Sequence, residues 1–175
     1  FGNQSVSGGT AVSHAIEICG LQKSYGNHIV LHDVSFCILR GEIFGLLGIN
    51  GSGKTTALEC IEGLRGYDKG CITVNGKIGI QLQSASLPAH IKTMEALQLA
   101  AKWNHADIDD EIIGVLGIKQ LAKKQYTELS TGQKRRLHLA LALVGQPEIL
   151  FLDEPTAGLD VQGKISLHRQ IRTLK

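Results

Sequence analysis

The sequence predicts an α/β fold with buried parallel strands. Three observations carry that reading. Short, continuously apolar runs at Ile43 to Leu47 and Ile149 to Leu152 lead into a glycine-rich stretch and into two acids, as buried parallel strands do. Between Ala15 and Leu47, and again between Gly70 and Leu82, β-like runs alternate with turn residues. From Thr93 to Lys124 the texture changes to helical spacing.

Phe1 to Ser13 is small and polar and reads as a flexible lead-in. Ala15 to Leu21 is apolar and partly β-branched, a strand. Ile29 to Leu39 is a second strand, with Val30, Val34, Phe36 and Ile38 alternating over part of it. Arg40-Gly41-Glu42 is a turn, and Ile43 to Leu47 a short buried strand. Lys54 to Leu64 is a helix. Gly70 to Val74 and Lys77 to Leu82 flank Asn75-Gly76, a strong hairpin signal. Thr93 to Lys102 and Asp109 to Leu116 are helices in a separate helical lobe of the same domain, and Gly117 can end the second. Ser130 and Gln133 have the S-x-x-Q form of a capping box, opening a helix from about Gly132 to Val144 that breaks before Pro147. Ile149 to Leu152 is a further strand and Val161 to Leu174 a further helix.

The chain has 175 residues, enough for one domain with a real core and too few for two ordinary ones. With 43% hydrophobic and 19% charged residues it has a globular composition rather than a disordered one. A net charge of +2 gives no electrostatic case for a nucleic-acid partner. Cys19, Cys37, Cys60 and Cys71 form no C-x-x-C pair. Each sits among apolar neighbours and reads as a reduced core cysteine of a cytosolic protein. The histidines are scattered, which gives no zinc site. No apolar run approaches about 18 residues, so none spans a membrane, and the N-terminal stretch lacks the pattern of a signal peptide. The first residue is Phe rather than Met, which points to a fragment, a processed form or an incomplete gene model.

Chemistry concentrates in three places. Gly48-Ile49-Asn50-Gly51-Ser52-Gly53-Lys54-Thr55 matches G-x-x-x-x-G-K-[ST], set between an expected strand and an expected helix. Glycines let backbone N–H groups converge on phosphate oxygens, and the following helix adds its positive end. Lys54 can reach the β- and γ-phosphates, and the Thr55 hydroxyl can hold Mg²⁺. The second place is Ile149 to Glu154. A strand there delivers Asp153 to assist Mg²⁺ and Glu154 to polarise an attacking water; the plain alternative is a strand that ends in solvated acids. The third, Leu129-Ser130-Thr131-Gly132-Gln133, starts a capped helix, a second anion site or an ordinary cap.

In this order the three elements resemble the nucleotide-binding domain of ATP-binding cassette (ABC) transporters. Gly48 to Thr55 looks like Walker A, Leu129 to Gln133 like the signature usually written LSGGQ, and Ile149 to Glu154 like Walker B with its catalytic glutamate. Thr156-Ala157-Gly158-Leu159-Asp160 looks like the D-loop. The resemblance covers about Ala15 to Lys175. It implies a P-loop NTPase core with a mostly parallel sheet, an N-terminal antiparallel β subdomain and an inserted α-helical subdomain at about 91–145. It implies ATP and Mg²⁺ as cofactors. It implies that Tyr25 stacks on adenine and that Gly48, Asn50, Gly51, Ser52, Gly53, Lys54, Thr55 and Thr56 bind the nucleotide phosphates. It implies that Gln83, with Gln81 the weaker candidate, is the Q-loop glutamine that touches Mg²⁺, beside Thr55 and Asp153, and the membrane partner. The catalytic pair is then Glu154 and Gln83.

The resemblance also implies two copies. Ser130, Gly132 and Gln133 meet the nucleotide bound to a second cassette, in a homo- or heterodimer, and closure moves transmembrane subunits at the cytoplasmic face of the cell membrane. Three departures stand out. Thr131 replaces the usual first glycine of the signature and is expected to weaken function. The connection after Asn75-Gly76 is short. Lys175 closes the chain before the family's switch histidine and the strand leading to it, which implies a C-terminally truncated cassette. Ribosome- or DNA-directed members carry paired cassettes or long coiled coils, and neither pattern occurs here. A degenerate cassette that binds ATP without turnover is the remaining alternative.

Overall fold

The computed structural model describes residues 14–49, 51–81, 87–153, 155–156 and 161–173. The chain divides into two compact units, Phe1–Asn75 and Gly76–Lys175.

Alternation of apolar and polar residues builds the first unit. Ile16 and Ile18 are buried while Glu17 and Cys19 are exposed, the period of a half-buried strand. This strand, β1 (His14–Tyr25), pairs antiparallel with β2 (His28–Leu39) on one side and β3 (Lys69–Val74) on the other. A register shift between Ile18 and Leu21 changes the phase, so that Leu21 also points inward and is fully buried. β1 therefore continues past the expected end at Leu21. It turns into β2 through Gly26 and Asn27, with Gly26 at φ 57°.

The expected turn at Arg40-Gly41-Glu42 is present, closed by the Glu42 N–H donating to Leu39 O at 3.2 Å. Beyond it, the expected buried strand at Ile43 to Leu47 does not form. The segment is irregular and largely exposed, with Leu47 93% accessible. Its apolar character states a need for burial but does not name a neighbouring strand, and no described strand pairs with it. Phe44 instead stacks on Phe36 of β2, with ring centroids 5.0 Å apart.

Helix α1 (Lys54–Ile61) packs Ala57, Cys60 and Ile61 inward. It ends before the expected Leu64 because Gly63, at φ 74°, closes it. The Leu64 N–H reaches back to Glu59 O at 2.9 Å and the Gly63 N–H to Cys60 O at 3.2 Å, satisfying carbonyls of the last turn. The expected hairpin around Asn75-Gly76 is also corrected. β3 pairs with β1, whereas β4 (Ile78–Gln81) pairs parallel with β5 (Ile149–Leu152). Gly76 has φ 147°, an extended mirror conformation rather than the left-handed turn a tight hairpin requires.

In the second unit, α2 (Thr93–Trp103) and α3 (Asp110–Val115) match their expected spans closely. The Asp109 carboxylate caps α3 by accepting the Glu111 and Ile112 N–H groups at 2.8 and 3.3 Å. Gly117, at φ 64°, ends it as expected, with the Ile118 N–H donating to Ile113 O. Short 3₁₀ turns at Lys119–Leu121 and Tyr126–Glu128 lead to α4 (Thr131–Leu143). Gly145 and Gln146, both at positive φ, and Pro147 then break the chain toward β5. Last comes α5 (Val161–Thr173).

The core of this unit gathers Leu97, Ile113, Leu116, Leu137, Leu143 and Leu167, so one residue at least comes from each of α2 to α5 or their ends. The helices thus share a unit with the parallel strand pair. β4 is wedged tightly against α4: a Cβ on Gly79 would collide with Ala142 O and the Pro147 ring. The α/β class holds, with an antiparallel sheet in one unit and parallel strands plus helices in the other.

The cysteines depart from expectation. Cys19, Cys37 and Cys71 are exposed, and only Cys60 is buried. On a strand the apolar neighbours of an outward residue point the other way, so they bury themselves and not the thiol between them.

Candidate functional site

Three glycines and a lysine shape the loop before α1. Gly51 and Gly53 sit at φ 82° and 85°, where side chains are strained. Gly53 also lies against β2: a Cβ there would be 2.9 Å from both Val30 O and Leu31 Cδ2. The Lys54 ammonium donates to Gly48 O and Ile49 O, each at 2.8 Å, and the Ser52 N–H donates to Ile49 O at 3.2 Å, so the loop curls back on itself. The first helical bond runs from the Ala57 N–H to Gly53 O, and no side chain caps α1. The N–H groups of Lys54, Thr55 and Thr56 therefore stand at the positive end of the helix with no partner from within it. Thr55 is exposed and Thr56 half-buried. Asn50 lies outside the described residues.

Gly53→Ala is expected to destabilise the protein by roughly 1–3 kcal/mol, since it adds a left-handed side chain and a clash with the β2 backbone. Urea denaturation of the variant checks this.

Tyr25 closes β1 and is 44% exposed. The Lys23 ammonium and the Arg65 guanidinium each lie 5.5 Å from its ring centroid. Lys23 pairs with Asp68 at 3.5 Å, and Arg65 pairs with Glu59 of α1. Asp68 in turn accepts the Ser24 N–H at 2.7 Å. That hydrogen bond, and then Lys23 against an opposing desolvation, holds its carboxyl below the usual carboxylate range. Sequence reading singled out Tyr25 but neither cation. Lys23, two positions along the same strand, was open to a period-two argument. Arg65 reaches the ring from the far end of α1, a contact no local pattern signals.

In the second unit, Ser130 caps α4 as expected. Its Oγ accepts the Gln133 N–H at 3.3 Å while Gln133 Oε1 accepts the Ser130 N–H at 3.0 Å. Thr131 is the first helical residue and Gly132 lies in the first turn. Leu129, 5% exposed, anchors the entry into the core. Behind the cap, Tyr126 Oη and His138 Nε2 are 2.9 Å apart, and the Lys134 ammonium lies 4.8 Å from the Tyr126 ring centroid. Burial first, then the charges of Arg135 and Lys134, pushes the His138 pKa down and favours the neutral imidazole. Ser130→Ala is expected to cost about 1 kcal/mol of stability by removing the cap, measurable by thermal or urea unfolding.

Asp153 follows β5, half-buried, with its N–H donating to Gln81 O at 3.4 Å. Gln81 is 2% exposed, and its amide nitrogen and oxygen have no hydrogen-bond partner among the described residues. Gln83, Glu154 and Ala157 to Asp160 lie outside the described residues. The named site residues thus fall into two groups. Tyr25, Gly48, Gly51, Ser52, Gly53, Lys54, Thr55 and Thr56 belong to the first unit. Ser130, Gly132, Gln133 and Asp153 belong to the second.

The residues fit the groups the chemistry implies. An uncapped helix end beside positive-φ glycines, as at α1, is an arrangement that suits phosphate oxygens. A Thr hydroxyl and an Asp carboxylate are hard oxygen donors suited to Mg²⁺. No three His, Cys, Asp or Glu side chains converge among the described residues; a Mg²⁺ carried largely by phosphates and water does not require such a cage. No described helix is long and apolar enough to cross a membrane.

The family model described as ABC transporter matches residues 31–157. A Nod factor export ATP-binding protein from Rhizobium johnstonii is 39% identical, covering 91% of this chain and 57% of its own length. A linearmycin resistance ATP-binding protein from Bacillus subtilis is 34% identical, covering 88% and 55%. The chain therefore spans little more than half the length of these relatives. Among solved structures, a metal-chelate type ABC transporter in an inward-facing conformation superposes with a TM-score of 0.82 at 25% identity, covering 92% of this chain and 68% of that one. An ATP-binding cassette of an ABC transporter has the same fold, with a TM-score of 0.82 at 20% identity, covering 93% and 77%.

Proposed function

Because the chain belongs to the ABC transporter family, we propose that it is the ATP-binding cassette of a membrane transporter and hydrolyses ATP to drive transport. The observation that carries this reading is the loop before α1. Its glycines turn the backbone at Gly51 and Gly53, its helix end has no side-chain cap, and Lys54 stands beside both.

In this reading the α1 N–H groups and Lys54 bind the β- and γ-phosphates, and Tyr25 stacks on the adenine. Mg²⁺ would be held by Thr55, Asp153 and Gln83, where it neutralises charge on the phosphates. Glu154 takes the proton of the attacking water as general base. Ser130, Gly132 and Gln133 present the capped α4 end to a γ-phosphate carried by a second cassette. Residues 14–175 then form one cassette with a helical subdomain at about 91–145. It docks on transmembrane subunits at the cytoplasmic face of the membrane. The γ-phosphate holds the closed pair, and its loss releases it.

The test is a paired measurement on the purified protein: equilibrium binding of ATP, and phosphate release in the presence of Mg²⁺. Tight binding with steady turnover is the expected result. Binding without turnover would remove the hydrolytic half of the proposal, and absence of both would remove the whole.

A further inference from the structure

We propose that Cys19 and Cys71 are a redox-sensitive thiol pair that closes into a cross-strand disulfide on the exposed face of the β2–β1–β3 sheet. The two residues stand directly opposite each other across the β1–β3 ladder, and both are exposed. Opposed residues of antiparallel strands lie about 4.5–5.5 Å apart at Cα, within the roughly 4.4–6.8 Å that a disulfide spans. The strands also approach closely beside the pair. A Cβ on Gly70 would lie 2.6 Å from Cys19 O and from the Gly20 backbone, so glycine next to Cys71 is what lets β3 come in. The proximity of Cys71 is also the largest influence that holds the Cys19 thiol above its ordinary pKa.

The other cysteines are poorly placed. Cys37 lies on the same face but opposite Glu17, which makes it a diagonal neighbour of Cys19. Diagonal neighbours are about 7–8 Å apart, beyond bridging range without backbone movement. Cys60 is buried in α1.

A small-molecule disulfide such as glutathione disulfide supplies the oxidant. The Cys71 thiolate attacks one of its sulfurs, forming a mixed disulfide and expelling one glutathione thiolate, which takes up the proton Cys71 gave to solvent. The Cys19 thiol loses its proton and attacks the Cys71 sulfur. The protein disulfide forms, and the second glutathione leaves and is protonated. The two protein sulfurs lose two electrons, which the two glutathione thiols carry away. The closed bond staples β3 to β1 around a long loop that contains Gly48 to Thr55 and α1.

The experiment treats the full chain with glutathione disulfide, blocks remaining thiols by alkylation and maps peptides by mass spectrometry. A Cys19–Cys71 linked peptide is expected, formed within one molecule, reversed by reductant and accompanied by a higher melting temperature. Cys37→Ser is expected to keep the link; Cys19→Ser and Cys71→Ser, both exposed near-isosteric changes, are expected to lose it. Free thiols at both positions after oxidation, lasting glutathione adducts on the unsubstituted pair, a link through Cys37 or links between molecules would each overturn the proposal.

Discussion

Lys54→Ala is expected to weaken ATP binding by on the order of 100-fold. An ammonium–phosphate hydrogen bond is charge-assisted and is worth roughly 1.5–3 kcal/mol, and alanine also withdraws a positive charge from the uncapped end of α1. The same substitution frees Gly48 O and Ile49 O from their donor. The loop is therefore expected to loosen slightly, but α1 keeps its packing through Ala57, Cys60 and Ile61. Calorimetric titration with ATP reads the affinity, and a melting curve shows whether the variant is folded. A folded variant that binds ATP as tightly as the parent protein would refute the role given to Lys54.

Glu154→Gln is expected to lower the hydrolysis rate by about 10²–10⁴-fold while leaving ATP binding in place. Glutamine keeps the size and polarity of the side chain but cannot take a proton from water. With hydrolysis blocked, the γ-phosphate persists and the two-cassette closed form accumulates. Gel filtration of the variant in Mg·ATP is expected to show a dimer. A variant that stays monomeric, or that still hydrolyses ATP at the parent rate, would count against the assignment.

How much of this was legible in the sequence depended on how local the governing physics is. The loop at Gly48 to Thr55 was readable because its requirements are carried by single residues: Gly51 and Gly53 adopt positive φ, and Gly53 has no room for a side chain. The caps at Asp109 and Ser130 and the stops at Gly117 and Pro147 were readable for the same reason. Pairing was not. The Asn75-Gly76 signal describes a turn between two strands, but β3 and β4 bond to strands distant in sequence. Ile43 to Leu47 announced hydrophobicity without a partner. Burial of the cysteines was misjudged because sequence neighbours on a strand occupy opposite faces. The cations beside Tyr25 show both cases, with Lys23 close along the chain and Arg65 brought in by the end of α1.

The brevity of α1 has one more consequence. Gly63 halts it at 8 residues, a length that does not persist as an isolated helix in water. The proposed phosphate cradle therefore depends on the hydrophobic contacts that hold Ala57, Cys60 and Ile61 in place. Melting of that small interior is expected to take the cradle with it, and ATP binding there is expected to raise the melting temperature, increasingly as its concentration exceeds its dissociation constant.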